Sequence, residues 1–342
     1  MNRRIARRVL LGGALGDSLL LPSERLSQEQ IRRRGWSNLK HRFIFGRGMW
    51  SDDTEHSLMV ARAILSGGGD PDRFARSLAS QFKMWILHFP AGVGLATARS
   101  CFKLLVGFGP KRSGVFSAGN GPAMRSAIIG AVFHNNCDLR EEHVRVSTEI
   151  THTDPRALIG ALAVAECVAS ESAEPEVIVA QLRGLGTEDP EWQSAVALIE
   201  SQLASGTGTR DFACALGCGT QGVSGYVYHS VPVAIFAWLT HMNWQALVDV
   251  QACGGDTDTV GAIAGALVAS RPEVPIPVAL VDGIWEWGVG VSGLQKIGDQ
   301  LDLWELGNPP TLIRWFWPLI VVRNFVFLIV VLVHGFARIL AR

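Results

Sequence analysis

Apolar residues recur about every three to four positions through most of the chain, which is the spacing of one face of an α-helix. The pattern is clear over 53–66, which is followed by glycines, and over 71–88 and 174–205. Sustained alternation of apolar and polar positions, which marks a half-buried strand, is absent. No low-complexity linker interrupts residues 1–308. We therefore expect an all-α fold in which residues 1–308 form a single compact multi-helix domain.

Oxygen-bearing side chains cluster at two of the predicted helix starts. Residues 254–259 read Gly-Gly-Asp-Thr-Asp-Thr, and residues 51–55 read Ser-Asp-Asp-Thr-Glu. Asp, Ser and Thr are good helix caps, and a carboxylate favours the positive end of the helix dipole. Each cluster nevertheless holds more such side chains than one cap needs. An over-capped helix start is the alternative interpretation of the 254–259 cluster taken alone.

The two clusters predict a metal site if the fold brings them together. They lie about 200 residues apart in the sequence. Acidic side chains that meet without a cation repel each other, whereas carboxylate and hydroxyl oxygens suit Mg²⁺, Ca²⁺ or Mn²⁺. Divalent cations between the clusters would remove the repulsion, and a pair of metals would match the chemistry of binuclear hydrolases.

The composition narrows the class of protein. Lys and Arg total 31 of the 342 residues, and Asp and Glu also total 31, so no basic field for nucleic acid is present. The six cysteines include no Cys-x-x-Cys pair, and we expect them to be reduced core thiols. The basic N-terminus is not followed by the apolar stretch of a secretion signal. We expect a catalytic domain in the cytoplasm.

Residues outside the acidic clusters are further candidates for binding or chemistry. The loop over 113–121 is rich in Gly, Ser and Asn and leads into a helix start. Its backbone N–H groups could cradle a phosphate, although an ordinary loop is the simpler interpretation. His152 lies between two threonines just before a predicted helix, and a structural histidine is the even alternative. Glu24 follows Asp17 by seven residues, and we expect Asp17 to orient ligands from behind.

The last part of the chain, 309–342, differs from the rest in being strongly apolar. Nine consecutive apolar residues run over 325–333, within a stretch long enough to cross a bilayer, for which about 20 residues are needed. Arg323 and Asn324 interrupt the stretch, and a charge inside a bilayer is costly. We expect 312–342 to hold the enzyme at a membrane as an interfacial helix, with Arg323 reaching toward the interface. A spanning helix, a helix docked on the catalytic domain and an oligomerisation contact are the alternatives.

Four segments, taken in order, resemble the ADP-ribosylglycohydrolase family, which includes the dinitrogenase-reductase-activating glycohydrolase. They are residues 12–17, 51–55, 119–125 and 254–259. Each motif alone is weak, but the ordered set is highly specific, and the resemblance extends from about residue 9 to residue 300. It implies an all-α bundle with a centre of two divalent cations, Mg²⁺ or Mn²⁺.

The resemblance also implies roles for individual residues. The expected metal ligands are the oxygen-bearing residues of the two acidic clusters, Ser51, Asp52, Asp53, Asp256, Asp258 and Thr259. The expected catalytic residues are Glu24, Asp53 and Asp256. The expected contacts with the ADP-ribose part of the substrate are Ser117, Gly119, Asn120, Gly121 and His152.

The resemblance and the metal chemistry together predict a hydrolase that removes ADP-ribose from a modified acceptor, either a protein side chain or a small ADP-ribose ester. Cleavage at ribose C1″ develops oxocarbenium character and needs a positioned water, which two metals can orient and activate. A non-catalytic ADP-ribose or nucleotide-binding module and a metal hydrolase of another glycosidic small molecule are the alternatives. The polar segments 27–47 and 206–225 are expected to be loops, and loops over 25–48 and 206–228 are expected to select the acceptor.

Overall fold

A computed structural model describes residues 5–304 and 317–340. Within these ranges the chain forms helices and four isolated β-bridges but no β-strand, which confirms the predicted all-α fold. The α-helices are α1 Ala6–Leu20, α2 Gln28–Arg33, α3 Asp52–Gly67, α4 Pro71–Leu87, α5 Leu95–Leu105, α6 Pro110–Ser113, α7 Gly121–Met124, α8 Ala127–Val132, α9 Cys137–Glu149, α10 Pro155–Ala169, α11 Pro175–Gly184, α12 Pro190–Ala204, α13 Thr209–Ala215, α14 Val227–His241, α15 Gln245–Cys253, α16 Thr257–Ala269, α17 Val278–Val281, α18 Gly290–Trp304 and α19 Trp317–Leu340. Short 3₁₀ helices form at Leu21–Ser23 and Ile44–Gly46.

The centre of the fold is an antiparallel pair of helices, α1 and α16, that approach each other backbone to backbone. A Cβ atom added to Gly16 would lie 1.8 Å from the carbonyl oxygen of Gly261, and one added to Gly265 would lie 2.2 Å from that of Gly12. Only glycine allows this approach, because any side chain would overlap the opposite backbone. Every residue of α16 is buried. The pair therefore fixes the C-terminal end of α1 beside the N-terminal end of α16.

The remaining helices surround this pair and bury it. Helices α3 and α18 pack on α1, while α14 and α15 pack on α16, and α10 lies against α7, α8, α9 and α14. Side-chain caps define several helix starts: the side chains of Ser51, Asp70, Asn136, Asp154 and Asp189 each accept a hydrogen bond from a backbone N–H in the first turn. The caps and the apolar spacing explain why the sequence predicted most of these helices.

Two segments predicted as loops contain short helices. Helix α2 lies within 27–47, and α13 lies within 206–225. At α2, Ser27 and Gln30 form a reciprocal capping box, in which the Ser27 hydroxyl accepts from the Gln30 N–H and the Gln30 side chain accepts from the Ser27 N–H. Helices of six and seven residues are too short for apolar periodicity to be visible, so the cap was the available signal for α2.

Helix α19 lies against the body of the protein along one of its faces. The buried residues of α19 are Arg323, Asn324, Phe327 and Val330, whose spacing follows one side of a helix. Its other side is exposed and apolar, and we define this outer face by Val322, Phe325, Ile329, Leu332, Val333 and Phe336. By length and composition alone, 318–338 could cross a membrane.

Candidate active site

The starts of α3 and α16 meet at one end of the central helix pair. Ser51 caps α3, and the Thr259 hydroxyl in the first turn of α16 donates to Oδ2 of Asp53 over 3.3 Å. The Ser51 hydroxyl donates to the same carboxylate oxygen over 3.0 Å. The two acidic clusters, far apart in sequence, therefore share a hydrogen-bonded contact through Asp53.

Asp17, near the end of α1, holds the start of α3 in place. Its carboxylate accepts hydrogen bonds from the backbone N–H of Ser51, at 2.9 and 3.0 Å, and from the Thr54 hydroxyl at 2.6 Å. Burial raises the pKa of Asp17 to about 7, and the hydrogen bonds from Thr54 and Ser51 act in the opposite direction. Asp17 thus orients the residues around Ser51 from behind, as the sequence predicted.

Two carboxylate oxygens in the acidic clusters are buried without a hydrogen-bond partner, Oδ1 of Asp53 and Oδ1 of Asp258. Burial raises the pKa of both groups well above the ordinary value. Neighbouring carboxylates raise it further: Asp17 and Asp52 act on Asp53, and Glu24 and Asp256 act on Asp258. Unpartnered buried oxygens are costly, so these atoms fit a cation that prefers oxygen ligands.

The described part of the chain does not contain a complete protein cage for a metal. No group of three or more His, Cys, Asp or Glu side chains there is gathered closely enough to hold an ion on its own. Mg²⁺ commonly binds to only one or two carboxylates and keeps several waters. The donor set available here, carboxylates with the Ser51 and Thr259 hydroxyls, suits that kind of open site.

A cleft of about 500 Å³ opens above the acidic clusters. The predicted site residues that line it are Glu24, Asp52, Ser117, Gly119, Asn120, Gly121, His152, Asp256, Asp258 and Thr259. The other two predicted residues, Ser51 and Asp53, are buried behind the cleft lining. Asp53 accepts a hydrogen bond from Thr259, which does line the cleft. The fold therefore brings all the predicted site residues to one place.

The loop over 117–121 forms one wall of the cleft and is tied to both the acidic clusters and His152. The Asn120 side-chain amide donates to Oδ2 of Asp256 over 2.6 Å. A Cβ atom added to Gly119 would lie 3.0 Å from Nε2 of His152, and one added to Gly121 would lie 3.2 Å from its Cε1. Both glycines are needed because the imidazole ring lies directly against the loop backbone.

His152 is held in its neutral form. Burial, and next the nearby Arg125 guanidinium, lower the pKa of His152 to about 3. Its Nδ1 lies 2.8 Å from the Thr151 hydroxyl, which accepts from Arg125 over 2.7 Å. Arg125 also donates to the carbonyl of Gly121 over 2.9 Å. This buried arginine therefore fixes both the histidine and the glycine loop from beneath the cleft.

Glu24 lies on the loop that follows α1, and this loop is stitched to the glycines before Asp256. Arg25 adopts a left-handed backbone conformation with φ 60°, and its N–H donates to the Gly255 carbonyl over 2.7 Å. The Gly255 N–H donates back to the Leu26 carbonyl over 2.8 Å. Burial raises the pKa of Glu24, which the Arg25 guanidinium partly opposes from 3.2 Å. The Asp256 carboxylate also raises the pKa of Glu24.

Several cleft residues were missed by reasoning from the sequence. Those outside every predicted motif and acceptor loop are Gly92, Gly94, Leu95, Ala96 and Thr97. The remaining lining residues had no individual role predicted but lie in the loops expected to select the acceptor or in the motifs over 119–125 and 254–259, namely Arg25, Met124, Val223, Ser224, Gly225 and Gly255. The glycines at 92 and 94 and the glycine-rich stretch around 222–225 were available signals. Leu95 carries no sequence signal, since apolar residues at helix ends are common in the chain.

Comparison with known proteins decides the family. The family model described as ADP-ribosylglycohydrolase matches residues 2–307. The chain belongs to the ADP-ribosylglycohydrolase family. This confirms the resemblance drawn from the four motifs, and the C-terminal helix α19 lies beyond the matched residues.

Individual relatives agree with that assignment. An uncharacterized protein of Archaeoglobus fulgidus is 30% identical over 290 residues, covering 81% of this chain and 90% of that protein. The ADP-ribosylhydrolase ARH3 of Homo sapiens is 28% identical over 264 residues, covering 65% of this chain and 70% of that protein. A solved structure titled ADP-ribosylglycohydrolase-related protein complex aligns with a TM-score of 0.62 at 22% identity, over 90% of this chain and 99% of that one, and it supports the fold. Family membership supports a glycohydrolase activity in general.

Proposed function

We propose that this ADP-ribosylglycohydrolase is a metal-dependent enzyme that removes ADP-ribose from a modified acceptor by hydrolysis at ribose C1″. The observation that carries the proposal is the meeting of the two acidic clusters beneath a cleft, where Asp53 and Asp258 each leave a buried carboxylate oxygen without a partner. A module that only bound a nucleotide would have no need of such a costly arrangement.

Two divalent cations, Mg²⁺ or Mn²⁺, would lower the pKa of a bound water and orient ribose hydroxyls when present. The residues that would hold them are Ser51, Asp52, Asp53, Asp256, Asp258 and Thr259. Asp17 would keep the first of these ligands in position through its bonds to the Ser51 N–H and Thr54. Asn120 would do the same for Asp256.

The protein's own proton-transfer candidate is Glu24. Its carboxylate lines the cleft, and burial raises its pKa, which makes the ionised carboxylate a stronger base. Asp53 and Asp256 would act in catalysis as ligands of the divalent cations at the base of the cleft. Glu24 would accept a proton from the attacking water, and the water oxygen would form the new bond to C1″ as the bond to the acceptor breaks. The acceptor would leave with the electron pair of that bond and take up a proton, which the protonated Glu24 can return.

The glycine loop and His152 would bind the ADP-ribose part of the substrate. The loop over 117–121 lines the part of the cleft where a diphosphate would lie. Its Gly119 N–H already donates to the Ser117 hydroxyl and its Asn120 N–H to the Gly225 carbonyl, so the Gly121 backbone and the loop side chains would make the contacts. Neutral His152 presents Nε2 next to Gly119, where it can exchange a hydrogen bond with a ribose or phosphate oxygen without adding charge. Arg25 and the residues over 223–225 lie at the same cleft and are positioned to contact the acceptor, which would be a protein side chain or a small ester.

The test is a substrate panel with the full chain. We expect release of ADP-ribose from at least one of serine-linked and arginine-linked ADP-ribosyl peptides and O-acetyl-ADP-ribose, lost in EDTA and restored by Mg²⁺ or Mn²⁺. Full activity in EDTA would contradict the metal mechanism. Tight calorimetric binding of ADP-ribose with no turnover of any substrate would support the non-catalytic binding module instead. Turnover confined to other glycosidic compounds would indicate a different metal hydrolase.

We also propose that α19 places the enzyme on a membrane surface, with the catalytic domain in the cytoplasm. The outer face of α19 is apolar over most of its length, and Phe325 is 65% exposed. Monomeric surfaces rarely carry such a patch without a partner. Arg323 is buried in ion pairs with Glu55 and Glu286, rather than reaching toward the interface as the sequence predicted. These ion pairs tie the helix to the body, which favours an interfacial position over a span.

Vesicle sedimentation tests this placement. We expect the full chain to co-sediment with phosphatidylcholine–phosphatidylserine vesicles, and the double variant Phe325→Ser, Leu332→Ser to stay in the supernatant. Val278→Ser is the matched control, since Val278 is as exposed as Phe325 but lies on α17. If no protein sediments and only self-association changes in the double variant, the outer face is an oligomer contact and the membrane placement is wrong.

A further inference from the structure

The inner face of α19 contacts the two chain segments that lead into the acidic cluster of α3 and into Glu24. At its N-terminal part, Arg323 donates to the carbonyl of Trp50 over 2.5 Å and to both carboxylate oxygens of Glu286, at 2.5 and 2.9 Å. The Trp50 N–H donates to Glu286 over 3.0 Å. Both backbone polar groups of the residue before Ser51 are therefore held by the Arg323–Glu286 pair.

Arg323 also reaches the first turn of α3 itself. Its guanidinium donates to Glu55 over 2.9 Å, and the Trp85 indole N–H donates to the other Glu55 oxygen over 2.6 Å. Glu55 follows Asp52 and Asp53 in the same helical turn. A single arginine from α19 thus contacts the chain on both sides of the Ser51–Asp53 motif.

The C-terminal part of α19 makes a second contact, at the Glu24 loop. Arg338 donates to the carbonyl of Pro22 over 3.0 Å, and Nε2 of His334 lies 3.2 Å from the same oxygen. Burial lowers the pKa of His334, so the ring is neutral and its Nε2–H serves as the donor. Pro22 belongs to the 3₁₀ turn that ends one residue before Glu24.

Apolar contacts lie between the N-terminal and C-terminal polar contacts of α19 and also hold the helix against the body of the protein. Phe327 and Val330 of α19 form a buried cluster with Leu21 and Met49, which are the immediate neighbours of Pro22 and Trp50. Arg323 and Arg338 are fifteen positions apart, which is about 22 Å along a helix. A continuous helix of this length transmits position well, since its backbone hydrogen bonds resist bending.

We infer that α19 is a positioning element of the active site, through which Arg323 sets the Ser51–Asp53 backbone and His334 with Arg338 sets the Glu24 loop. The inference deepens the proposed hydrolase function and rests on it. It concerns residues beyond the part of the chain that the family model matches. The tail would then contribute to turnover as well as to location.

The C-terminal contact gives the cleaner test. The double variant His334→Leu, Arg338→Leu removes both donors to Pro22 and keeps apolar bulk. We expect kcat to fall about 10-fold with KM within about twofold, since effects of residues that orient a reacting group are of this size. We also expect amide hydrogen exchange at Glu24, Arg25 and Leu26 to rise about 10-fold, and Arg338→Lys to retain most of the activity.

Leu328→Ala, at an exposed position of the same helix outside the defined outer face, is the matched control, and it should change neither kcat nor exchange. Unchanged kcat and exchange in the double variant, or equal losses in the control, would overturn the inference. If the wild-type chain hydrolyses none of the substrates yet the double variant raises exchange at the Glu24 loop, the proposed function fails while the positioning contact stands.

The N-terminal contact is tested through metal binding. Arg323→Lys keeps a buried cation but loses the planar fork that reaches Trp50, Glu55 and Glu286 together. We expect Mn²⁺ affinity, measured by calorimetry on the full chain, to weaken about 10-fold, with faster exchange at Ser51. Wild-type affinity and exchange in a folded Arg323→Lys chain would contradict the role of Arg323.

Discussion

Two groups of acidic side chains meet at the first turn of α3, and only one of them has a cationic partner among the residues that the structure describes. Glu55, together with Glu286, is paired with Arg323 of α19, whose side chain is only 4% exposed. On the other side, Asp52 and Asp53 face the acidic residues of α16. Within residues 5–304 and 317–340, no Lys or Arg forms an ion pair with Asp52, Asp53, Asp256 or Asp258.

The first group, Glu55 and Glu286 with Arg323, joins α19 to the body of the protein, and we call it the α19 joint. The second group belongs to the candidate active site. Burial raises the pKa of Glu286, but the Arg323 guanidinium opposes the shift and every carboxylate oxygen of the pair finds a donor. For Asp53, neighbouring carboxylates add to the effect of burial, and one oxygen has no donor at all. A buried acidic group with a protein cation stays ionised, whereas one without is held protonated unless a cation from solution pairs with it.

The largest expected effect is on turnover when the unpaired group is altered. Asp53→Asn and Asp256→Asn each remove a charge that would hold a cation, and we expect kcat to fall by roughly 10³-fold, in the upper range for loss of a catalytic group. Asp211→Asn, at an exposed acid, is the control and should keep wild-type turnover. Normal kcat in both Asn variants would mean that the acidic clusters serve only as helix caps.

Altering the paired group should affect stability as well as the affinity for Mn²⁺. Arg323→Ala leaves Glu55 and Glu286 buried without their cation, and we expect the free energy of unfolding to fall by about 3–5 kcal/mol. Urea denaturation of the full chain measures it. Arg33→Ala, which removes an exposed pair with Glu29, should leave the midpoint unchanged. Equal urea midpoints for Arg323→Ala and Arg33→Ala would show that the buried ion pairs of Arg323 stabilise the fold no more than an exposed pair does.

A smaller effect is expected at Asp17, which supports the site without lining the cleft. Asp17→Asn keeps an acceptor for the Ser51 N–H and the Thr54 hydroxyl but removes the charge. We expect Mn²⁺ affinity to weaken by about 10- to 100-fold, as for other residues that orient metal ligands. Asp154→Asn, at the cap of α10, is the matched control. Affinity equal to wild type would show that Asp17 acts only as a cap for α3.

The pH dependence of stability gives the mildest test. The pKa of Asp17 is about 7 in the folded protein against an ordinary value of 3.8, so between these values the folded state binds the extra proton. The free energy of unfolding of the metal-free protein should therefore fall as pH rises from about 4 to about 7. Thermal melts in EDTA measure this. Excess Mn²⁺ should weaken the trend, because a bound cation favours the ionised carboxylates. A melting temperature that rises between about pH 4 and about pH 7 would contradict the raised pKa of Asp17 in the folded protein.

The all-α fold and the residues gathered at the cleft could be predicted because both leave local marks in the sequence. Ser51 does cap α3, and the glycines of α1 and α16 do allow a close helix pair. Each acidic cluster carries more side-chain oxygens than one helix cap requires, and this excess predicted that the two clusters meet in the fold. Their chemical roles remain predictions.

The α19 joint could not be predicted, because Arg323, Glu55 and Glu286 share no pattern in the sequence. Glu286 lies outside the helices, and Glu55 looked like one more residue of an acidic helix start. Arg323 looked like a costly interruption of an apolar stretch, and only the tertiary structure gives it partners at positions 50, 55 and 286. Long-range pairing of single charges carries no periodic signal.

Calorimetric titration of Mn²⁺ into the metal-free full chain tests whether the acidic clusters at the starts of α3 and α16 together hold divalent cations. We predict saturable binding of two Mn²⁺ per chain with release of protons, and loss of at least one site in both Asp53→Asn and Asp256→Asn. No saturable binding, or two sites of unchanged affinity in both variants, would contradict the account.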